Sequence, residues 1–305
     1  MASMKENAVV LEAAAVQMRE AEDAIASLRE QAVADAQEIK RLRQASQPPA
    51  PPDRDETIEG ADMVHSFETS PTEGGKYAIQ AKAPGRVSLV NVARHGAKGV
   101  RLFAENGDVN ISGSGSGKRC DLRLSVEHSG DIREGVEQWW AHSIFLPDDF
   151  TMPPTNAWNS CMVADFHHTG GNGQANYGLT VKCLGAGQPV RWIYDIYGGT
   201  QDAHRTSGKV FGDTPVQKNT WYDFVYFIRW SSRNDGRFQL YARIEGEPSY
   251  KLRLDRANLP TLYSGMQAYW KLANYFGYPG SNAVIHDRVV RGKSSQSVAM
   301  APLED

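Results

Sequence analysis

Cysteine is scarce in this 305-residue chain: Cys120, Cys161 and Cys183 are the only three. They have no CxxC or metal-type spacing, and an odd number does not build a disulfide framework, so they read as small buried apolar residues. No apolar run approaches the ~20 residues a bilayer span needs, which excludes a membrane-crossing helix. The start of the chain has no apolar h-region, so no ordinary signal peptide is expected. A net charge of -3 leaves no bulk basic field, which argues against nucleic acid as a partner.

A more local absence divides the chain. Residues 1–46 contain no Gly, Pro, Trp, Tyr or Phe. What they have instead is a seven-residue repeat. Leu11, Met18, Ile25, Ala32 and Ile39 share one heptad position, and Ala14, Ala21, Leu28, Asp35 and Leu42 share the other. That seam predicts an α-helical coiled coil and homo-oligomerisation through it, over the competing reading of a lone amphipathic helix folded back on the main domain. Residues 47–57, opening on Gln47-Pro48-Pro49-Ala50-Pro51-Pro52-Asp53, form a Pro-rich linker.

From residue 58 to 305 the texture is β. Strands are expected over 85–92, 101–103, 121–127, 138–145, 160–167, 177–183, 190–197, 221–230, 238–244, 264–275 and 283–291. Turn signals such as Asn106-Gly107-Asp108 and Asn234-Asp235-Gly236 separate them. Many short strands with no helical period between them predict an all-β sandwich or jelly roll.

Several motifs carry nothing. Gly113-Ser114-Gly115-Ser116-Gly117-Lys118-Arg119 lacks the first Gly of a phosphate loop and has Arg119 where Ser or Thr should bind magnesium, so it reads as a flexible turn. His167-His168 is no metal pair, because neighbours on a strand point to opposite faces. No Glu-x-Asp-x-Glu run supplies the paired carboxylates of ordinary glycoside hydrolysis.

The stretch Tyr269-Trp270-Lys271-Leu272-Ala273-Asn274-Tyr275 is more informative. As a strand it puts Tyr269, Lys271 and Tyr275 on one face. Asp165 and His167 share a face on 160–167, and Arg123 lies on the charged face of 121–127. Trp192 and Tyr194 alternate on 190–197 as further aromatic candidates for substrate contact. If these strands line one concave sheet, cations, phenols and an imidazole meet in a groove suited to an acidic polysaccharide. Such a polymer is cleaved by β-elimination when a cation neutralises the C5 carboxylate, a base removes the C5 proton and an acid protonates the departing O4. No cofactor is required. The acidic loops around Asp148-Asp149 and Asp235 leave room for calcium without any EF-hand spacing.

From Asp121 to Ser294 the chain resembles the heparin-lyase-I-like and glucuronan-lyase-like polysaccharide lyases. The landmarks are 138–147, 163–167, 221–225, 230–236, 269–275 and 286–292. The resemblance implies a concanavalin-like β-jelly-roll and lyase activity on a uronic-acid polymer. It makes His167 the base or carboxylate-binding group, Tyr275 the acid and in one version also the base, Lys271 an aid to charge neutralisation and Arg123 a further cation. Asp165, Tyr269 and Asn274 become substrate contacts, with His168 the alternative should the register slip by one. Two departures stand out. Asp165 occupies the place of a Gln, and an ionised Asp repels a uronate unless it is protonated, paired with Arg123 or Lys271, or bridged by a cation. Ala273-Asn274 replaces a Gly before the Tyr, so Asn274 turns inward if the strand bulges. A heptad stalk joined to a sugar-active domain further implies an extracellular or virion-associated protein. The alternative is a non-catalytic carbohydrate-binding or structural component of a virus or phage particle.

Overall fold

The computed structural model describes residues 58–304 except 112–116, 156–158, 171–172 and 201–203, together with Met18, Ala24, Ile25, Ser27 and Gln31. Those five residues are helical. The expected coiled coil, its oligomer and the Pro-rich linker otherwise lie outside the described residues. In space the chain divides into Met1–Ala50 and Pro51–Asp305. No helix among the described residues is long and apolar enough to cross a membrane.

The second unit is a β sandwich. Its strands are β1 (Ala61–His65), β2 (Tyr77–Ala81), β3 (Val87–Val90), β4 (Gly99–Ala104), β5 (Lys118–Leu124), β6 (Glu137–Phe145), β7 (Ser160–His168) and β8 (Tyr177–Cys183). There follow β9 (Val190–Gly198), β10 (His204–Lys209), β11 (Trp221–Arg229), β12 (Gly236–Ile244), β13 (Tyr250–Leu259), β14 (Ala268–Phe276), β15 (Asn282–Gly292) and β16 (Leu303–Glu304). One sheet runs β16-β13-β12-β11-β6-β15-β4-β3, with β1 added on β15. The other runs β10-β9-β8-β7-β14-β5-β2. Every strand expected from the sequence is present. The five that were not expected, β1, β2, β10, β13 and β16, are short or rich in polar and charged residues and lie at or near sheet edges, where half-burial no longer imposes an apolar stripe.

Alternation along the strands fills the space between the sheets. Trp140 of β6 stacks on Trp270 of β14 with ring centroids 5.7 Å apart, and Phe166 of β7 meets Trp270 edge-on at 4.6 Å. These rings fix β7 and β14 from below, because Ala164, Phe166, His168, Ala268, Trp270 and Leu272 point inward while Asp165, His167, Tyr269 and Lys271 point out. The three cysteines are free and buried in the same interior.

β14 breaks its register with β7 between Leu272 and Tyr275 and keeps step with β5. At this bulge the Asn274 amide donates to the Leu102 and Asn282 carbonyls of the opposite sheet, at 3.1 and 2.9 Å. The conditional expectation of a bulge is thus met, but Asn274 turns into the core, fully buried, and not into the groove. Replacing Trp270 with Ala should cost about 3–5 kcal/mol, read as a lower urea midpoint at unchanged m-value.

Candidate active site

The face expected to form the groove is the outward face of the seven-stranded sheet, centred on β5, β14 and β7. Lys271 pairs with Arg123 across β14 and β5, and with Asp165 across β14 and β7. Tyr269 stands beside His167, and Tyr275 beside Arg119 and Met162. The sheet therefore brings Arg123, Asp165, His167, Tyr269, Lys271 and Tyr275 onto one face.

At its centre is a buried ion pair. Lys271 Nζ lies 2.7 Å from Asp121 Oδ2 and 3.8 Å from Asp165 Oδ2, with both partners buried. Arg119 Nε lies 3.1 Å from the same Asp121 oxygen. The second oxygen of Asp121 accepts the Asn274 backbone N–H at 3.2 Å, so this carboxylate also satisfies backbone freed by the bulge. Burial works against the Lys271 ammonium, but Asp121 and Asp165 outweigh it and hold its pKa above the ordinary value. Lys271 is only 2% exposed, so its charge is committed to these two carboxylates and reaches a ligand through them. Burial, held back by Lys271 and assisted by Asp121, pushes the Asp165 carboxyl up to about 6.

Two aromatic–cation contacts flank the pair. The Arg123 guanidinium sits 4.4 Å over the Tyr269 ring and that of Arg119 4.5 Å over the Tyr275 ring. Tyr275 also packs directly on Gly117, where a Cβ would come within 2.3 Å of the ring. Only Gly fits there without displacing the phenol.

His167 stacks on Tyr269 at 5.8 Å. Its Nδ1 accepts the backbone N–H of His168 at 2.9 Å. The same Nδ1 lies 3.3 Å from the His168 carbonyl, and because the shorter contact is the one to the N–H, it favours the neutral tautomer with its proton on Nε2. Burial and then the Lys271 charge pull the imidazole down to about 4, which keeps it neutral through the physiological range. His167 is thus arranged as a hydrogen-bond donor more than as a base. Five residues of β7 separate the Tyr269 rung from the Tyr275 rung, on the order of 15 Å between Cα atoms. His167 and Tyr275 share the face but hold different ends of it.

Other expected contacts do not reach the groove. Trp192 and Tyr194 point to the interior, 1% and 4% exposed, with Trp192 packed on the Tyr222 ring at 4.8 Å. On β9 it is the odd positions, including Asp195 and Tyr197, that face outward. His168 is buried on the opposite side of β7 against Tyr263, as alternation requires. The acidic loops are also committed. Asp149 pairs with Arg101, Asp148 accepts from Asn219, and Asp235 accepts from Ser231 near Arg229 and Arg233. Among the described residues no three His, Cys, Asp or Glu side chains are placed to hold a metal ion.

Arg119 and Asp121 are the site residues that sequence reasoning missed. The signal was the alternation Arg119-x-Asp121-x-Arg123, continuous with the expected strand. Assigning Arg119 to a glycine-rich turn hid it, whereas β5 begins at Lys118. Removing Asp121 alone, by Asp121→Ala, strands the Lys271 charge and should cost about 3–5 kcal/mol, and adding Lys271→Met should recover part of the loss. Urea unfolding of the single and double variants checks the sign of that recovery.

A family model described as polysaccharide lyase matches residues 66–289. Among solved structures, the endo-β-1,4-glucuronan lyase of the fungus Trichoderma reesei is similar with a TM-score of 0.55 and 15% identity, over 78% of this chain and 98% of that one. The marine alginate lyase of Aplysia kurodai is similar with a TM-score of 0.50 and 11% identity, over 77% of this chain and 99% of that one. No curated protein matches in sequence. At these identities the solved structures speak for the fold, and it is the family model, spanning most of the sandwich, that assigns membership: the chain belongs to the polysaccharide lyase family.

Proposed function

We propose that the groove cleaves a uronic-acid-containing polysaccharide by β-elimination. The observation that carries this reading is the continuous line Tyr275–Arg119–Asp121–Lys271–Asp165, which sets a phenol beside fixed positive charge on the face of a polysaccharide lyase sandwich. With Arg123, three cations stand against two carboxylates, so the face keeps a positive balance for an acidic polymer.

The chemistry needs three things of these residues. Arg119, beside Tyr275, binds the C5 carboxylate and draws charge from it, which makes the C5 proton removable, while Arg123 and the Nε2–H of His167 at the other end of the face hold the next acidic sugar. The reaction requires the Tyr275 oxygen, with the Arg119 guanidinium over its ring, to act in its phenolate form and take that proton. The C5–H electrons form the C4–C5 double bond, the C4–O4 bond breaks, and O4 takes the proton back from Tyr275. The tyrosine therefore ends the cycle as it began it, and no covalent intermediate forms. Tyr269, stacked between Arg123 and His167, holds both in place.

Hydrolysis by a carboxylate pair fits less well. A glycosidase needs one carboxylate free to act as acid and one as base or nucleophile. Here Asp121 is fully buried under Lys271 and Arg119, so it offers no free oxygen to a sugar.

Incubating the protein with glucuronan, alginate and heparin-type polymers should raise the ultraviolet absorbance of the unsaturated product on at least one of them. Tyr275→Phe should lower the rate by about 100-fold or more. A phenylalanine variant that retains wild-type rate would remove Tyr275 from the proton transfer. Binding of these polymers without any product would favour a non-catalytic carbohydrate-binding module instead.

A further inference from the structure

We propose that Asp165 acts as a neutral carboxylic acid that donates a hydrogen bond to the carboxylate of a uronate bound in the groove. The proposal rests on the reading of the groove as a uronate site and assigns the recognition of the charged group there.

The geometry points this way. Lys271 makes its close contact with Asp121, at 2.7 Å, and stands 3.8 Å from Asp165. Arg119 also turns to Asp121. Asp165 is 2% exposed, and its Oδ1 has no hydrogen-bond partner among the described residues. An ionised carboxylate that is buried with one oxygen unpaired is disfavoured, and taking up a proton removes that cost. The protonated group then has an O–H to give, and the side chain lies on the face where a sugar acid would rest.

The groups facing Asp165 do not supply a better partner. On its own strand stands His167, neutral with its proton on Nε2. On β14 stand Lys271 and Tyr269, and beyond them on β5 Arg119, Asp121 and Arg123. On the other side β8 brings Gly178, without a side chain, and past it Asp195 of β9, which is paired with Arg205 at 2.8 Å. An incoming carboxylate adds negative charge next to Asp165 and favours its protonated form further. The rise of its pKa to about 6 in the unliganded protein agrees with this and places the transition within reach of ordinary buffers.

The sign of the pH effect follows. Below the free-protein pKa, Asp165 already carries its proton and affinity does not change with pH. Above it, each binding event takes one proton from solvent onto Asp165, so affinity falls by up to about tenfold per pH unit. An anion-binding site that relied on ionised Asp165 bridging a cation would show no such uptake.

The test is isothermal titration calorimetry of the full chain carrying Tyr275→Phe, which slows turnover, with short glucuronan and alginate oligomers. It is run at about pH 5.5 and about pH 7.5, in buffers of different ionisation heat. We expect binding at the higher pH to be at least about tenfold weaker, with close to one proton taken up per site. Adding Asp165→Asn, whose amide donates without titrating, should abolish the uptake and bring affinity at the higher pH within about threefold of the lower-pH value. Affinity independent of pH without proton uptake, or an Asp165→Asn chain that stays folded yet binds about tenfold more weakly at both pH values, overturns the proposal. If the Asn variant does not fold, the proton uptake of the Tyr275→Phe chain decides alone. If no uronate oligomer binds at any pH, the reading of the groove fails. A carbon-13 NMR titration of the Asp165 carboxyl then judges the neutral acid by itself, and a transition at the ordinary carboxylate value refutes it.

Discussion

The contact between Lys271 and Asp121 organises the groove. It joins β14 to β5 through a buried ammonium and a buried carboxylate, and neither group can be left alone in that environment. Because Asp121 also takes Arg119 and the Asn274 backbone N–H, one carboxylate sets the positions of the lysine, an arginine and the bulge. Through Arg119 it sets the charge beside Tyr275, and by occupying Lys271 it leaves Asp165 undersupplied with donors. The chemistry proposed for Tyr275 and for Asp165 thus has a common origin in how one buried negative charge is compensated.

That arrangement depends on the interior beneath it. Trp140, Phe166 and Trp270 interlock between the sheets and hold β7 and β14 in register, while Asn274 fastens the bulge to the opposite sheet through two carbonyls. The bulge shifts register against β7 only, and because β14 keeps step with β5 through it, Tyr275 stays four residues along the same face from Lys271, opposite Arg119. Stability and function share these residues. The pattern that buries Trp270 and Leu272 is the pattern that presents Tyr269 and Lys271.

Period-two alternation made the fold and the centre of the site legible from sequence. It identified the inner strands, and it put Lys271, Tyr275, His167, Asp165 and Arg123 on one face, as the register shows. It failed at the sheet edges. Of the edge strands, β10 is polar and β2 is only five residues long with Ala78 and Ile79 exposed, so no apolar stripe marks either. On β9 the charges Arg191 and Asp195 alternate with Val190, Trp192, Tyr194 and Ile196, so period two already puts Trp192 and Tyr194 in the core, and reading their rings as a sugar platform set that alternation aside. Arg119 escaped because the glycine-rich run that ends on it suggested a turn, and Asp121, though inside the expected strand, escaped because its pairing with Lys271 is a tertiary fact that no spacing encodes.

The account stands or falls on elimination as the bond-breaking step. Digesting glucuronan or alginate in heavy-oxygen water and weighing the fragments addresses it directly, because elimination adds no water across the broken bond whereas hydrolysis adds one. Fragments with unsaturated, label-free non-reducing ends, each lighter by one water than the hydrolytic product, are the predicted result. Fragments that carry solvent oxygen at the cleaved bond and lack the double bond would contradict it.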